Sequence, residues 1–486
     1  MNTRLPRSPA LVPALAALAG LATALWTLGT PSLWRDEAVT ADLAGRSLPQ
    51  LGAVLGEIDA VHAAYYVVMQ LWTAVAGDSV IALRLPSALA AAAAAGLTAA
   101  LGRRLVSDRT GLIAGLLVAA SPFVARHAQE ARQYALVMAL AALASWLLVR
   151  AEDRRGWAWY ALSIVFLGAA HLFALLILPA HLLARRKDWR PFLISTAAAM
   201  VPLSVLGYAA AGQRYQVGWI ERPTWNGIVN LLEGLGWGPY FALPALLLAG
   251  YAVFRRSPAA PVALPWLLLP PGLLLGVSLV SPLYVQRYLL FCVPAAALLV
   301  ASGLDLLPWR PLAWAGLAVA VAAAVPAQLD VRRQDARVDD LRALADVVSA
   351  RKADGDAVVF TDIRFRPVLA TYRDAWRGLD DVLLRVSPRR TGDLKGREVG
   401  RNGYPAALAG APRVWLVDNR VAFLPGSKST APAKRAALAA DGFVLVEEWR
   451  YKGGKVGLYR LADPLPELTE RTGGVPDAAA GPAADQ

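Results

Sequence analysis

The stretch that decides the fold reads LVPALAALAGLATALWTLGTPSLWRDEA, residues 11–38. Its first part, Leu11 to Gly29, is apolar throughout and close to the roughly 20 residues a straight helix needs to cross a hydrocarbon core. Arg4 and Arg7 precede it, as in a signal peptide, but no small-residue cleavage site closes it. A retained first span with a cytoplasmic N-terminus is the expectation. A few residues beyond its end the chain turns abruptly polar at Trp34-Arg35-Asp36-Glu37-Ala38, so a charged loop follows directly on a membrane rim.

The same grammar repeats along the chain. Apolar runs occupy 82–101, 111–124, 134–149, 157–184, 190–211, 239–254, 261–280, 288–304 and 311–327. Basic clusters follow several of them: Arg103, Arg104 and Arg109; Arg150, Arg154 and Arg155; Arg185, Arg186, Lys187 and Arg190; Arg255 and Arg256; and Arg310. Such clusters mark cytoplasmic loops. They alternate with the spans only if 157–184 is a hairpin of two short helices turning near His171, and if Tyr65 to Ala76 does not cross. The segment 65–76 is then an interfacial helix with Tyr65, Tyr66 and Trp72 as anchors. The result is about eleven spans, with everything after residue 327 outside the cytoplasm.

Composition agrees. The chain is 57% hydrophobic and 17% charged, against about 45–50% and about 25% for soluble domains. A soluble enzyme, a disordered chain and a coiled coil are excluded. The net charge of +13 reads as cytoplasmic loops rather than as a nucleic-acid surface. The single cysteine, Cys292, forms no intrachain disulfide, and no CxxC cluster, HExxH or GxxxxGK[ST] occurs.

From about residue 331 charges become frequent and long apolar runs stop. Leu341, Leu344, Ala345 and Val348 share one face of a helix over 339–351. Strand patterns at 357–361, 413–417, 443–448 and 456–461, the last pair joined at Gly453-Gly454 as a hairpin, and a helix at 434–440 make residues 331–462 a soluble α/β domain. It holds about 130 residues, enough for a core of its own. The tail 463–486, rich in Pro, Ala and Gly, is expected to be disordered. Residues 1–330 form the membrane domain, with no internal repeat of the transporter kind.

The chemistry-bearing residues gather on one face. The first external loop, 30–62, sets Arg35 and Arg46 against Asp36, Glu37, Asp42, Glu57 and Asp59, acidic in a basic protein. Asp36 and Glu37 are neighbours, so on a helix one can face a cavity while the other caps; acidic residues also stabilise a helix's first turn. The second external loop holds Arg126, His127, Gln129, Glu130, Arg132, Gln133 and Tyr134, and a third holds Tyr284, Gln286, Arg287 and Tyr288. Arginines at span ends also serve as snorkelling anchors. His62, His171 and His181 are lone imidazoles in apolar surroundings, where packing is the commoner role. Carboxylates and arginines beside a soluble domain suit an anionic, lipid-anchored substrate, since the planar guanidinium matches phosphate.

Four motifs in order carry a resemblance: Asp36-Glu37 after the first span; His62-Ala63-Ala64-Tyr65-Tyr66; Arg84-Leu85-Pro86-Ser87 opening the second; and Gln129-Glu130-Ala131-Arg132-Gln133-Tyr134. Together they resemble the GT-C superfamily of integral-membrane glycosyltransferases, in the bacterial branch related to protein O-mannosyltransferases and lipid A aminoarabinose transferases. Relatives commonly carry two prolines where this chain has Ala63-Ala64. The resemblance covers roughly residues 10–330 and implies a GT-C-like polytopic α-helical fold followed by an extracytoplasmic domain. It implies a polyprenyl-phosphate sugar donor and inverting transfer to a glycan, lipid or protein acceptor at the outer face of the cytoplasmic membrane. The family's catalytic acid maps onto Asp36, Glu37 completes that pair, and Glu130 lies in the second acidic motif. Arg287 is the first choice for the donor phosphate, then Arg132 and Arg126, with His62 and Tyr65 beside them. A divalent cation could share the phosphate charge, although scattered carboxylates do not establish a metal site. Two other readings are a transporter or flippase of lipid-linked sugars, and a membrane protein that binds glycan without chemistry. The first would carry ionisable residues along an intramembrane path, where these spans are nearly free of charge.

Overall fold

A computed structural model describes residues 10–419 and 430–462. The tail 463–486, with Arg4 and Arg7, lies outside the described residues. Helices α1 (Leu11–Leu25), α2 (Arg35–Ala44), α3 (Leu48–Glu57) and α4 (Ala63–Ala76) open the chain. Then come α5 (Val80–Leu105), α6 (Asp108–Ala120), α7 (Pro122–Ala128), α8 (Tyr134–Arg150), α9 (Arg154–Ala170) and α10 (Leu178–Ala184). The apolar part ends with α11 (Trp189–Gly212), α12 (Trp225–Leu235), α13 (Ala242–Phe254), α14 (Ala260–Ser278), α15 (Val293–Asp305) and α16 (Arg310–Asp330).

Among the described residues five helices are long and apolar enough to cross a membrane, and the pair α6–α7, bent by 61°, would make a sixth. The expectation of about eleven spans is thus met in part. Several remaining runs are shorter apolar helices, α1, α8 and α13 among them. At the α6–α7 bend, Ser121 accepts from the Val124 amide and Pro122 starts the next helix, a geometry that begins a helix rather than continuing one. The run 157–184 does form a hairpin: α9 ends at Ala170 and the chain turns at His171. The two arms close again at their far ends, where Arg185 donates to the Ala151 carbonyl and Tyr160 lies 3.0 Å from His181.

Contacts at the helix ends define two rims. At one, Ser107, Arg109 and Thr110 converge on Asp305, and Arg104 approaches Glu152, so most of the basic clusters gather there. At the other, Arg84 meets Glu37, Arg332 caps the Thr23 carbonyl, and the α/β domain is attached. Between the rims, small residues let helices touch. A Cβ on Gly115 would lie 2.4 Å from Ala16 Cβ, and one on Gly111 would lie 2.5 Å from the Ala99 carbonyl, the close backbone approach by which membrane helices pack.

The α/β domain is built on α17 (Leu341–Arg351), followed by β1 (Ala357–Phe360), β2 (Asp380–Asp381), β3 (Leu384–Val386), β4 (Arg397–Glu398), β5 (Arg413–Asn419), β6 (Phe443–Tyr451) and β7 (Gly454–Leu461). One sheet runs β2-β1-β5-β7-β6, and β3 pairs with β4. Strand β1 is parallel to β2 and β5, while β5–β7 and the β6–β7 hairpin are antiparallel. Leu341, Leu344, Ala345 and Val348 are the buried face of α17, as their spacing predicts. That face packs on Val358, Phe360, Trp415 and Val417, and the same cluster continues into Leu33, Ala38 and Ala41 of the first loop and into Tyr65 and Tyr66 of α4. The loop and the α/β domain therefore share one core. Two of the three expected interfacial anchors are instead in this core, Tyr65 and Tyr66 being 2% and 0% exposed, while Trp72 is partly exposed and donates to the Ala82 carbonyl.

Candidate active site

Helix α2 starts where the chain leaves the buried pair Leu33-Trp34 in extended form. Its first turn separates the two acids, because neighbouring helical side chains diverge by about 100°. Glu37 turns inward. Its Oε1 accepts from Arg84 Nε at 2.8 Å and from the Ala131 amide at 2.8 Å, and its Oε2 accepts from Arg84 Nη2 at 2.7 Å. Both side chains are fully buried. Arg84 also donates to the carbonyls of Leu28, Pro31 and Ser32. This knot locks the segment that follows α1, the start of α5 and the second loop together. It also occupies the carboxylate expected to complete the catalytic pair.

Asp36 stays half-open. Its Oδ2 lies 3.8 Å from Arg287 Nη2, and the two side chains are 27% and 23% exposed. Burial pushes its carboxyl pKa up, and Arg132 and Arg287 pull against that shift. Arg287 donates to the Tyr134 hydroxyl at 2.9 Å and sits within 6 Å of the rings of Trp34, Tyr134, Trp219 and Tyr288. Aromatic walls keep such a cation oriented and partly dry.

Arg132 is buried and donates to the Tyr66 hydroxyl at 3.2 Å, while its Nε meets no acceptor among the described residues. Tyr66 in turn donates to Asp59 at 3.0 Å, and burial raises the Asp59 pKa against the pull of Arg132. His62 Nδ1 lies 2.8 Å from Gln133 Nε2, with its ring 6.5 Å from that of His171. The His171 ring lies 4.8 Å from that of Tyr288, tilted by 54°, so histidines, tyrosines and arginines form one wall beside Asp36.

Other expected residues face elsewhere. Glu130 is buried against His127 at 2.9 Å, with Arg337 and Arg126 at 3.4 and 3.6 Å. Burial alone would raise its pKa, but these partners together hold it well below the ordinary value. Arg126 donates to the Ala336 carbonyl, and the Tyr65 ring packs in the core beside Tyr66. No three His, Cys, Asp or Glu side chains converge to hold a metal ion among the described residues.

The α/β domain supplies what the sequence hides. Asp339 accepts from Arg35 Nε and Nη2, each at 2.7 Å, and from the Arg35 amide at 3.2 Å. Tyr372 accepts from the Leu33 amide, and Arg342 donates to the Gly29 carbonyl. The residue before Asp36 is thus clamped from across the chain. Asp339 lay only in a helix pattern on the sequence, and nothing local marks its partner.

The fold has close counterparts among solved structures. The structure of ArnT from Cupriavidus metallidurans in the apo state superimposes with a TM-score of 0.60 at 14% identity, over 91% of this chain and 97% of that one. ArnT from the same organism bound to undecaprenyl phosphate gives a TM-score of 0.61 at 13% identity, with the same coverage. Independently, the family model described as dolichyl-phosphate-mannose-protein mannosyltransferase matches residues 63–208. No curated protein matches by sequence. These comparisons show a fold similar to that of ArnT over most of the chain. Over residues 63–208 the sequence is similar to the mannosyltransferase family.

Proposed function

We propose that the chain is an inverting glycosyltransferase. It moves a sugar from a polyprenyl-phosphate donor to an acceptor hydroxyl, which belongs to a glycan, a lipid or a protein. The observation that carries this reading is the half-open Asp36 carboxylate set 3.8 Å from Arg287, while its neighbour Glu37 is fully engaged. The donor class is supported by the ArnT structure that holds undecaprenyl phosphate. The reaction is a single displacement. Asp36 takes the proton of the acceptor hydroxyl, whose oxygen attacks the anomeric carbon from the face opposite the phosphate. The bond from that carbon to the phosphate oxygen breaks, and the electron pair leaves with the lipid phosphate. A general base within hydrogen-bond reach contributes typically about 10²–10⁴-fold. Arg287, with Arg132 behind it, stabilises the charge that grows on the departing phosphate, so the two favour the transition state over the ground state.

In this reading the α/β-domain rim is the outer face of the cytoplasmic membrane and residues 331–462 are extracytoplasmic. The gathering of basic clusters at the opposite rim supports that orientation. Residues 1–330 are the transferase domain. Glu37, Glu130, Arg126 and Tyr65 are assigned to holding the site rather than to the chemistry, since their polar atoms or rings are committed to buried partners. The test is transfer from a labelled polyprenyl-phosphate sugar by the purified chain in detergent. Labelled product supports the transferase; donor binding with no product over the range of acceptors would return the reading to a flippase or a glycan-binding protein.

A further inference from the structure

A groove of about 670 Å3 lies between the C-terminal ends of α2 and α4 and the α/β domain, and neither Asp36 nor Arg287 lines it. Its charged lining includes three arginines, Arg46, Arg373 and Arg389. Arg46 is the unusual member. Its side chain is fully buried, Nη2 donates to Asp42 at 2.6 Å, and its own carbonyl is held by Gln70. Its Nε and Nη1 meet no acceptor among the described residues. Native proteins rarely leave buried donors unmatched, and the exceptions are commonly completed by water, an ion or a ligand.

The other two arginines come from the α/β domain and reach across the groove. Arg373 binds Asp78 at 2.6 Å and is half exposed, and Arg389 donates to the Gly45 carbonyl at 3.2 Å. Asp42 and Asp78 neutralise two of the three cations, leaving one positive charge and the buried half of a guanidinium fork. That fork matches the oxygens of a phosphoryl group. None of the lining residues is aromatic, so a sugar ring would find no stacking face. The lining includes Gly77 and Asp78, just before Ser79, the N-cap of α5, a helix long and apolar enough to cross a membrane. A groove at the end of a span lies at headgroup depth.

We propose that this groove binds the phosphate of an anionic lipid headgroup, anchored by Arg46 and covered by Arg373 and Arg389. The site is separate from the Asp36 centre, so it can hold whether or not the transfer reading does.

Binding of short-chain phosphatidylglycerol to the full chain in detergent, followed by native mass spectrometry and calorimetry, tests it. Saturable binding is expected, with Arg46→Gln weakening it about tenfold or more, as loss of a buried charged donor does. Arg46→Lys restores charge without the fork and should remain weaker than the native protein. Arg389→Gln, at an exposed position, should weaken binding by a smaller factor, and it decides the matter if Arg46→Gln fails to fold. Equal binding by Arg389→Gln combined with Arg373→Gln would overturn the proposal. So would equal binding of short-chain phosphatidylcholine, or displacement by inorganic phosphate at the same concentration, which would make free phosphate the ligand.

Discussion

Replacing Glu37 with glutamine is expected to damage stability before it damages chemistry. Glu37 and Arg84 are both fully buried and joined by two hydrogen bonds of 2.8 and 2.7 Å. Removing one partner of such a pair leaves an uncompensated buried charge and costs about 3–5 kcal/mol. Three backbone carbonyls still hold the Arg84 guanidinium, and glutamine keeps an acceptor for the Ala131 amide. The loss for Glu37→Gln therefore belongs near the lower end, about 3 kcal/mol, with Glu37→Ala worse. Because Arg84 also serves three backbone carbonyls and Glu37 the Ala131 amide, Glu37→Leu combined with Arg84→Met should recover little, since those backbone groups lose their partners. The assay is the thermal unfolding midpoint of the detergent-solubilised chain, read beside transfer per folded molecule. A Glu37→Gln protein that melts like the native one yet has lost turnover would refute the reasoning and return Glu37 to the chemistry.

Three further outcomes follow from the same geometry. Arg287→Gln should lower kcat by about 10²–10³, the usual loss on removing one preorganised charge-stabilising donor; a change confined to KM would contradict its role on the leaving phosphate. Burial raises the Asp36 pKa above 3.8, and the reaction needs the ionised form, so kcat/KM should climb with pH along an acid limb above that value. Because Arg287 pulls this pKa down, Arg287→Gln should move the limb to higher pH, and a limb that stays put or moves lower would exclude Asp36 as the titrating base. Asp339→Ala frees Arg35 and with it the start of α2; kcat should fall about tenfold or more, as loss of alignment does, with little change in donor KM, and Asp339→Glu should recover part of it.

Local patterns carried much of this structure and long-range pairing carried the rest. The buried face of α17 follows from the spacing of Leu341, Leu344, Ala345 and Val348, because helical period is a local property. The hairpin at His171 followed from basic residues flanking both ends of one apolar run, a constraint of topology. Strands β2, β3 and β4 are only two or three residues long, too short for alternation to register. Tyr65 and Tyr66 read as interface anchors, since the Arg132 that donates to Tyr66 and the sheet of the α/β domain meet them only in space. Adjacency alone required Asp36 and Glu37 to diverge. Which of them turns inward depends on Arg84, 47 positions away, and α2 is steadied by Asp339, 304 positions from Arg35. No local motif encodes such a pair.

The most direct measurement is single-turnover transfer by Asp36→Asn in detergent, with protein level and thermal midpoint matched to the native chain. The account predicts an intact fold, retained binding of the polyprenyl-phosphate sugar, and a transfer rate lower by about 10²–10⁴. Near-native transfer by that protein would show that another group accepts the proton, and the mechanism built around Asp36 would fall.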